Sequence, residues 1–274
     1  MSSLLTNVGA MNALSTLRSI NSSTAQNQSR ITTGLAVQSA KDNAAYFSIS
    51  KTLSSDSGMY KAVDEGLTLT KNSIATARAG AEEVARLATK FTERVAFAQS
   101  GAVSRADVQL ELDELVQQIG VTIEQATFNG NDLVTGATSN TVVTGVSRDA
   151  AGSLSTTSVT FQSVDLTAIE TTLSGISLSA TGDISADLIT AEGALADAIS
   201  AATTLGVAEN TMDSQKEFLK SLSAVLDEGV GAIVDADMEK EAARSQALQV
   251  QSQVAIQALS MANQQPQQLL SLFR

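Results

Sequence analysis

Residues 46–98 read YFSISKTLSSDSGMYKAVDEGLTLTKNSIATARAGAEEVARLATKFTERVAFA. Stepping alternately by three and four residues from Tyr46 gives Ile49, Leu53, Asp56, Tyr60, Val63, Leu67, Thr70 and Ile74. The same register continues through Ala77, Ala81, Val84, Ala88, Phe91, Val95 and Ala98. Only Asp56 and Thr70 interrupt the apolar series. A seven-residue repeat held this long predicts a coiled-coil seam along one continuous helix. At 1.5 Å per residue that helix is roughly 80 Å long. A compact domain of this size could not contain it, so the predicted fold is an elongated rod.

Outward from this helix, Gly101 offers a stop, and Ser104-Arg105-Ala106-Asp107 offers a new start with a capping-box-like pairing. Val108, Leu112, Leu115 and Ile119 carry a second helix, which turns back on the first and ends at the Asn129-Gly130 turn signal. The middle changes character. Between residues 135 and 185, 21 of 51 positions are Ser or Thr. Short alternating runs appear there, Val159-Thr160-Phe161 and Ile176-Ser177-Leu178, which predict weak strands and hairpins and admit a short helix. Helical pattern resumes near Ser185 through Leu195, Ile199, Leu219, Leu222 and Leu226, and Gly229 and Gly231 are expected to interrupt it before Asp235-Ala236-Asp237. A last helix from about Met238 carries Leu248, Val250, Val254, Ile256, Leu259 and Met261, and Pro266 is expected to end or bend it.

The predicted fold class is therefore mainly α: a rod of long antiparallel coiled-coil helices with a small β-hairpin-containing insert at its outer end. Residues 1–40 and 240–274 form an inner terminal coiled coil, 41–135 and 186–239 a helical rod domain, and 136–185 a Ser/Thr-rich variable insert.

Composition supports an assembly of helices. Aromatic residues make up 3% of the chain, and there is one Pro. Small side chains at helical spacing suit closely approaching helices, and long helices exclude proline. Cys, His and Trp are absent. Without Cys or His the usual zinc and iron ligand sets cannot be built. The commonest general acid or base near neutral pH is missing too. A carboxylate pair or a Ser–Lys arrangement stays formally open, but no spacing singles one out, and no GxxxxGK[ST] or GxGxxG stretch occurs. No catalytic residue, cofactor or metal is expected.

Net charge is −12, which argues against nucleic acid as a partner. Its distribution says more. Residues 106–215 hold 15 acidic side chains and one basic, Arg148, whereas the two flanking regions together hold 14 acidic and 16 basic. Arg18 and Arg30 are the only charges among the first 40 residues, and none occurs from Ser245 to Phe273. Two charge-poor ends predict burial against other copies while the acidic middle faces water. The nine Gln among residues 245–273 weigh against membrane insertion. The first charge is Arg18, so the start lacks the basic region of a secretory signal. Export, if it occurs, would need another route. Backbone ordering costs about 1–2 kcal/mol per residue. Ten large apolar side chains in those 29 uncharged residues cannot offset that without neighbours, so the end is expected to fold only among them.

Several blocks resemble bacterial flagellin. At the start these are Asn7-Val8, Ala10, Ala13-Leu14, Leu17 and Ile20-Asn21, then Arg30-Ile31-Thr32-Thr33-Gly34-Leu35-Ala36-Val37-Gln38-Ser39-Ala40-Lys41-Asp42-Asn43-Ala44-Ala45. Phe128-Asn129-Gly130 with Leu133 follows. Near the other end come Asp235-Ala236-Asp237, Glu241, Ala262-Asn263-Gln264-Gln265-Pro266-Gln267 and Leu269-Leu270-Ser271-Leu272. The resemblance covers about 1–135 and 205–274. It implies a structural subunit that self-assembles into the flagellar filament used for swimming, in a secreted, extracellular location. Its implied partners are other copies and other flagellins, the flagellar export apparatus and a chaperone, and hook-junction and cap proteins.

The expected polymerisation interface comprises Leu4, Leu5, Val8, Leu14, Leu17, Ile20 and Arg30, with Leu248, Val250, Val254, Ile256, Leu259, Met261, Leu269, Leu270 and Leu272. The alternative is a hook–filament junction protein, which shares similar terminal helices. The Ala-Asn-Gln-x-Pro-Gln ending and the small insert favour the filament subunit. A helical signalling module would carry more charged ends. Proteolytic flagellins carry an HExxH site, which the absence of His excludes. An animal innate immune receptor reads Arg-x-Arg-Glu-Leu in this family. The ungapped equivalent here is Lys90-Phe91-Thr92-Glu93-Arg94, so recognition through Lys90, Thr92, Glu93 and Arg94 is expected to be weak or absent. The Ser/Thr density fits O-glycosylation and a solvated low-complexity loop equally well, and sequons at Asn21 and Asn27 lie in a helix expected to be buried.

Overall fold

The computed structural model describes residues 7–100, 103–149, 152–178 and 183–271, with side chains to residue 264. Among the described residues there are six helices and one two-stranded sheet. These are α1 (Val8–Thr33), α2 (Ala44–Ala98), α3 (Arg105–Gln125), β1 (Ser139–Arg148), β2 (Leu154–Gln162), α4 (Leu166–Ser174), α5 (Ile184–Val234) and α6 (Met238–Ser271). The chain divides into two compact units. One holds residues up to Ser55 together with those from Leu226 onward, and the other is Asp56–Val225.

In the second unit the α2 register carries the core. Leu67, Ile74, Ala77, Ala81, Val84, Ala88, Phe91, Val95 and Ala98 are all buried. In the first unit the start of that register does not hold, because Tyr46 and Ile49 are about half exposed. Opposite α2, α5 buries Ala191, Ala194, Ala198, Ala201, Leu205, Ala208, Met212 and Leu219. Its seam runs through alanines, and Ile199 faces solvent instead. α3 begins at Ser104, whose side chain accepts from the Asp107 amide, and buries Val108, Leu112, Ile119 and Ile123. It approaches α2 so closely after its end that a β-carbon on Gly80 would lie 2.4 Å from that of Ala126. Asn129 and Gly130 then reverse the chain with φ of 51° and 75°.

The antiparallel β1–β2 hairpin is present, and its turn end is held against the start of the second unit. Arg148 pairs with Asp56 at 2.7 Å, Tyr60 Oη donates to the Val146 carbonyl at 2.7 Å, and Gln215 Nε2 donates to the Thr144 carbonyl at 2.9 Å. A register shift between Val143 and Gly145 frees that Thr144 carbonyl from the ladder. Long helices give a two-stranded ribbon an apolar wall, without which it would be only marginally stable.

Two expectations fail, and of the two alternatives for Pro266 an end to the helix is excluded. Ile176-Ser177-Leu178 is not a strand. Both apolar side chains are buried, and Gln109 Oε1 accepts from the Leu178 amide at 2.8 Å, replacing a neighbouring strand. Gly229 and Gly231 do not interrupt α5, which continues to Val234. Isolated glycines cost a helix only about 1 kcal/mol each. α6 likewise continues past Pro266 to Ser271. Gly101 lies outside the described residues.

Candidate polymerisation surface

The first unit is built on the antiparallel pair α1–α6. Asn7 caps α1 through its side-chain oxygen, which accepts from the Ala10 amide at 3.0 Å. Gly34 closes α1 in the left-handed region at φ 72°, and its N–H donates to the Arg30 carbonyl. The chain then pairs briefly with the end of α5. The Ala36 and Val37 amides donate to the Val234 carbonyl at 2.7 and 3.3 Å, and the Ala236 amide donates to the Gly34 carbonyl at 2.8 Å. Asp42 closes the following turn, accepting from the Ser39 hydroxyl, the Ser39 amide and the Gln38 amide. These bonds, led by the hydroxyl, hold its carboxyl below the ordinary range. Asn43 caps α2 through bonds from the Ala45 and Tyr46 amides, both 3.1 Å. The densest family-like block is thus a helix–turn–helix joint in which Thr32, Thr33, Asp42 and Asn43 bond to backbone groups.

Covered positions on the two terminal helices recur every three or four residues. On α1 they are Ala10, Ala13, Leu17, Ile20, Thr24 and Asn27; on α6, Glu241, Ser245, Leu248, Ser252, Ala255 and Leu259. A small-residue seam of this kind cannot cover both helices. The seam has one polar lock. Asn27 Nδ2 donates to Glu241 Oε2 at 2.6 Å and to the Glu241 carbonyl at 3.0 Å, while Arg30 Nη1 meets Oε1 at 3.3 Å. Burial alone would raise the Glu241 carboxyl. Hydrogen bonds from Asn27 and Arg30, with the charges of Arg30 and Arg244, override it and hold the group below its ordinary value of 4.5. Asn27 Nδ2 is thereby occupied inside the seam, while its Oδ1 is buried without a hydrogen-bond partner.

The expected interface residues divide into two sets. Leu17, Ile20, Arg30, Leu248 and Leu259 belong to the seam or its flank. Val8, Leu14, Val250, Val254, Ile256 and Met261 are 38–64% exposed, and Met11 joins them at 61%. Large apolar side chains left exposed on both terminal helices are the feature expected of a surface that other chains cover. Leu4, Leu5 and Leu272 lie outside the described residues, as do the side chains of Leu269 and Leu270. Reading the sequence missed the Asn27–Glu241 lock, although a polar pair at seam positions amid apolar ones was the available signal. It also missed Met11.

On α2, Lys90, Glu93 and Arg94 are exposed, and Arg94 Nε pairs with Glu111 Oε2 at 3.1 Å. The Thr92 hydroxyl donates to its own helix at the Ala88 carbonyl, 2.9 Å away. Among the described residues no cluster of three or more His, Cys, Asp or Glu could hold a metal ion. No described helix is long and apolar enough to cross a membrane.

A chain that closes its N- and C-terminal helices on each other, yet leaves apolar rows on both, has the construction of a polymer-forming helical subunit. Residues 4–139 match the bacterial flagellin N-terminal helical region, and residues 188–273 match the bacterial flagellin C-terminal helical region. The chain is 36% identical to a flagellin of Brucella melitensis biotype 1 over the whole of both chains. It is 34% identical to flagellin FljM of Caulobacter vibrioides, covering 100% of this chain and 99% of the relative. It is 31% identical to flagellin A of Rhizobium meliloti over the whole of both. The chain belongs to the bacterial flagellin family. It is a structural subunit that polymerises with flagellins into the flagellar filament, the propeller of swimming motility.

Proposed function

We propose that polymerisation runs through the outward-facing apolar side chains of α1 and α6, Val8, Leu14, Val250, Val254, Ile256 and Met261, and that Leu4, Leu5, Leu269, Leu270 and Leu272 take part with them. The observation that carries this is the pairing of a satisfied internal seam with large apolar side chains left facing outward on the same two helices. Residues 1–40 and 240–274 would form the filament's inner layer, 41–135 and 186–239 the surrounding rod, and 136–185 its variable outer part. The subunit is secreted unfolded at its ends through the flagellar export apparatus with a chaperone's help. It meets hook-junction and cap proteins at the filament's limits and has no catalytic role. Charge-poor ends suit both states, since they enter a channel unfolded and later bury with few ions to pair.

Val254→Asp is the test, with the half-exposed insert position Val143→Asp as control. Burying an unpaired carboxylate at an interface costs several kcal/mol, so Val254→Asp subunits should fail to elongate wild-type seeds while Val143→Asp subunits elongate them. Normal elongation by Val254→Asp overturns the assignment. Immune-receptor activation by depolymerised protein should be weak or absent, because Thr92 and Arg94 replace the family's Arg and Leu; strong activation of reporter cells would contradict this.

A further inference from the structure

The sequence places a proline inside a helix, and the structure shows how the helix accommodates it. In α6 each carbonyl accepts from the amide four residues on. For Ala262 that donor would be residue 266, and Pro266 has no N–H. The Ala262 carbonyl therefore has no partner within its own helix at the normal spacing. It is met from the other end of the chain: Asn7 Nδ2 donates to it at 2.7 Å, across 255 residues of sequence.

The same Asn7 amide has its oxygen committed to the Ala10 amide, as the cap of α1. Both ends of one side chain are thus used, and the assignment of its oxygen and nitrogen has only one consistent solution. The cap requires an acceptor and the carbonyl requires a donor. Close approach makes the reach feasible. A β-carbon on Gly9 would lie 3.8 Å from that of Ala262, an ordinary contact that leaves little room for a larger side chain on either helix.

We propose that Asn7 and Pro266 together determine the register in which the N- and C-terminal helices close, and hence the surface presented for assembly. Pro266 leaves the Ala262 carbonyl without an i+4 donor in the body of the helix, and Asn7 is the donor that reads it. The alanines, serines and leucines of the α1–α6 seam repeat at similar spacing, so sliding α6 by one turn changes apolar packing little. It would strand the Ala262 carbonyl and uncouple the cap donor. An ordinary residue at 266 would satisfy that carbonyl internally and leave Asn7 nothing distinctive to recognise. This rests on the reading of the terminal helices as the polymerisation surface, to which it adds the device that sets their alignment.

The test is a double-mutant cycle in the full chain with Asn7→Ser, which keeps a capping oxygen but removes the Nδ2 amide that reaches Ala262, and Pro266→Ala, which restores the internal bond. The readout is the critical concentration for elongating wild-type seeds. One hydrogen bond at this site predicts that Asn7→Ser raises it roughly three- to ten-fold in the presence of Pro266. In the Pro266→Ala background the same change should shift it less than two-fold. Equal shifts in both backgrounds overturn the proposal.

A second readout is independent of assembly. The chain has no cysteine, so Gly9→Cys with Ala262→Cys reports register through disulfide formation, the β-carbon separation being near that of natural disulfides. Cross-linking should be high in the parent and reduced by Asn7→Ser or Pro266→Ala, with no further loss on combining them. Additive loss would also overturn the proposal. Normal elongation by Val254→Asp alongside non-additive cross-linking would instead sink the polymerisation-surface reading alone.

Discussion

Replacing Glu241 by Gln isolates the lock between α1 and α6 without changing shape. Asn27 Nδ2 makes two bonds there, and the one to the Glu241 carbonyl survives any substitution. The other, at 2.6 Å to a buried carboxylate, is charge-assisted. Bonds to charged groups contribute about 1.5–3 kcal/mol against about 1 for neutral ones, so the substitution should cost roughly 1–2 kcal/mol. Arg30 adds little, since its side chain is a third exposed and such pairs yield about 0–1 kcal/mol. The expected result is a critical concentration for filament growth about ten-fold above wild type at pH 7, with filaments dissociating at lower temperature. The pH dependence fixes the cause. Because the folded carboxyl titrates below its ordinary value of 4.5, its contribution is fully present above that value. It is lost as the pH falls through the folded value. The gap between wild type and Glu241→Gln should therefore close in acid. A gap that does not narrow at all as the solution is acidified through the carboxylate range, or a variant indistinguishable from wild type at pH 7, refutes the reasoning.

Three other outcomes are expected. Gly80→Ala places a β-carbon 2.4 Å from Ala126 and should destabilise the chain by about 1–3 kcal/mol in thermal melts, with Ala126→Gly restoring most of the loss. Arg148→Met should speed amide exchange in β1 and β2 without disturbing α3. Asp56→Asn should do the same, and the two together should add nothing, since each breaks the same 2.7 Å pair. Tyr60→Phe should loosen β1 around Val146 more than β2, because its hydroxyl holds the Val146 carbonyl.

The helices were legible in sequence because the α2 register is both apolar and long. From Leu67 to Ala98 every position that register names is buried apart from Thr70. Its beginning misled, since Tyr46 and Ile49 continue the pattern but are exposed in the other unit. Pattern reports what is apolar, not what is covered within one chain. The α5 seam misled in the opposite way. Large residues such as Ile199 drew the eye, whereas the helix packs through alanines that let two backbones approach. The hairpin's existence followed from alternation in Val159-Thr160-Phe161, but its docking rests on Tyr60, Asp56 and Gln215, which no local pattern connects to residues 144–148. The candidate surface was half legible: charge-poor ends announced burial, and only the structure separates residues that α1 and α6 cover for each other from those still facing outward.

That separation bears on how the terminal pair can stay loosely closed until it assembles. A terminal pair held by a large apolar seam would close early and stay closed. Here only four of the twelve seam positions carry large apolar side chains, Leu17, Ile20, Leu248 and Leu259, and the rest are small or polar. Its directional information comes from a few polar contacts, at Asn7, Asn27 and Arg30. Small-residue packing contributes little per position, while hydrogen bonds contribute only when aligned. The pair is therefore specific in register without being strongly held on its own. The larger apolar side chains sit on the outward faces, where they contribute only when a second copy covers them. Moving one of those side chains inward, for example with Ala255→Leu paired with Val254→Ala, should shift stability from the filament to the free subunit. Filament growth should then require a higher concentration even though the total apolar content has increased.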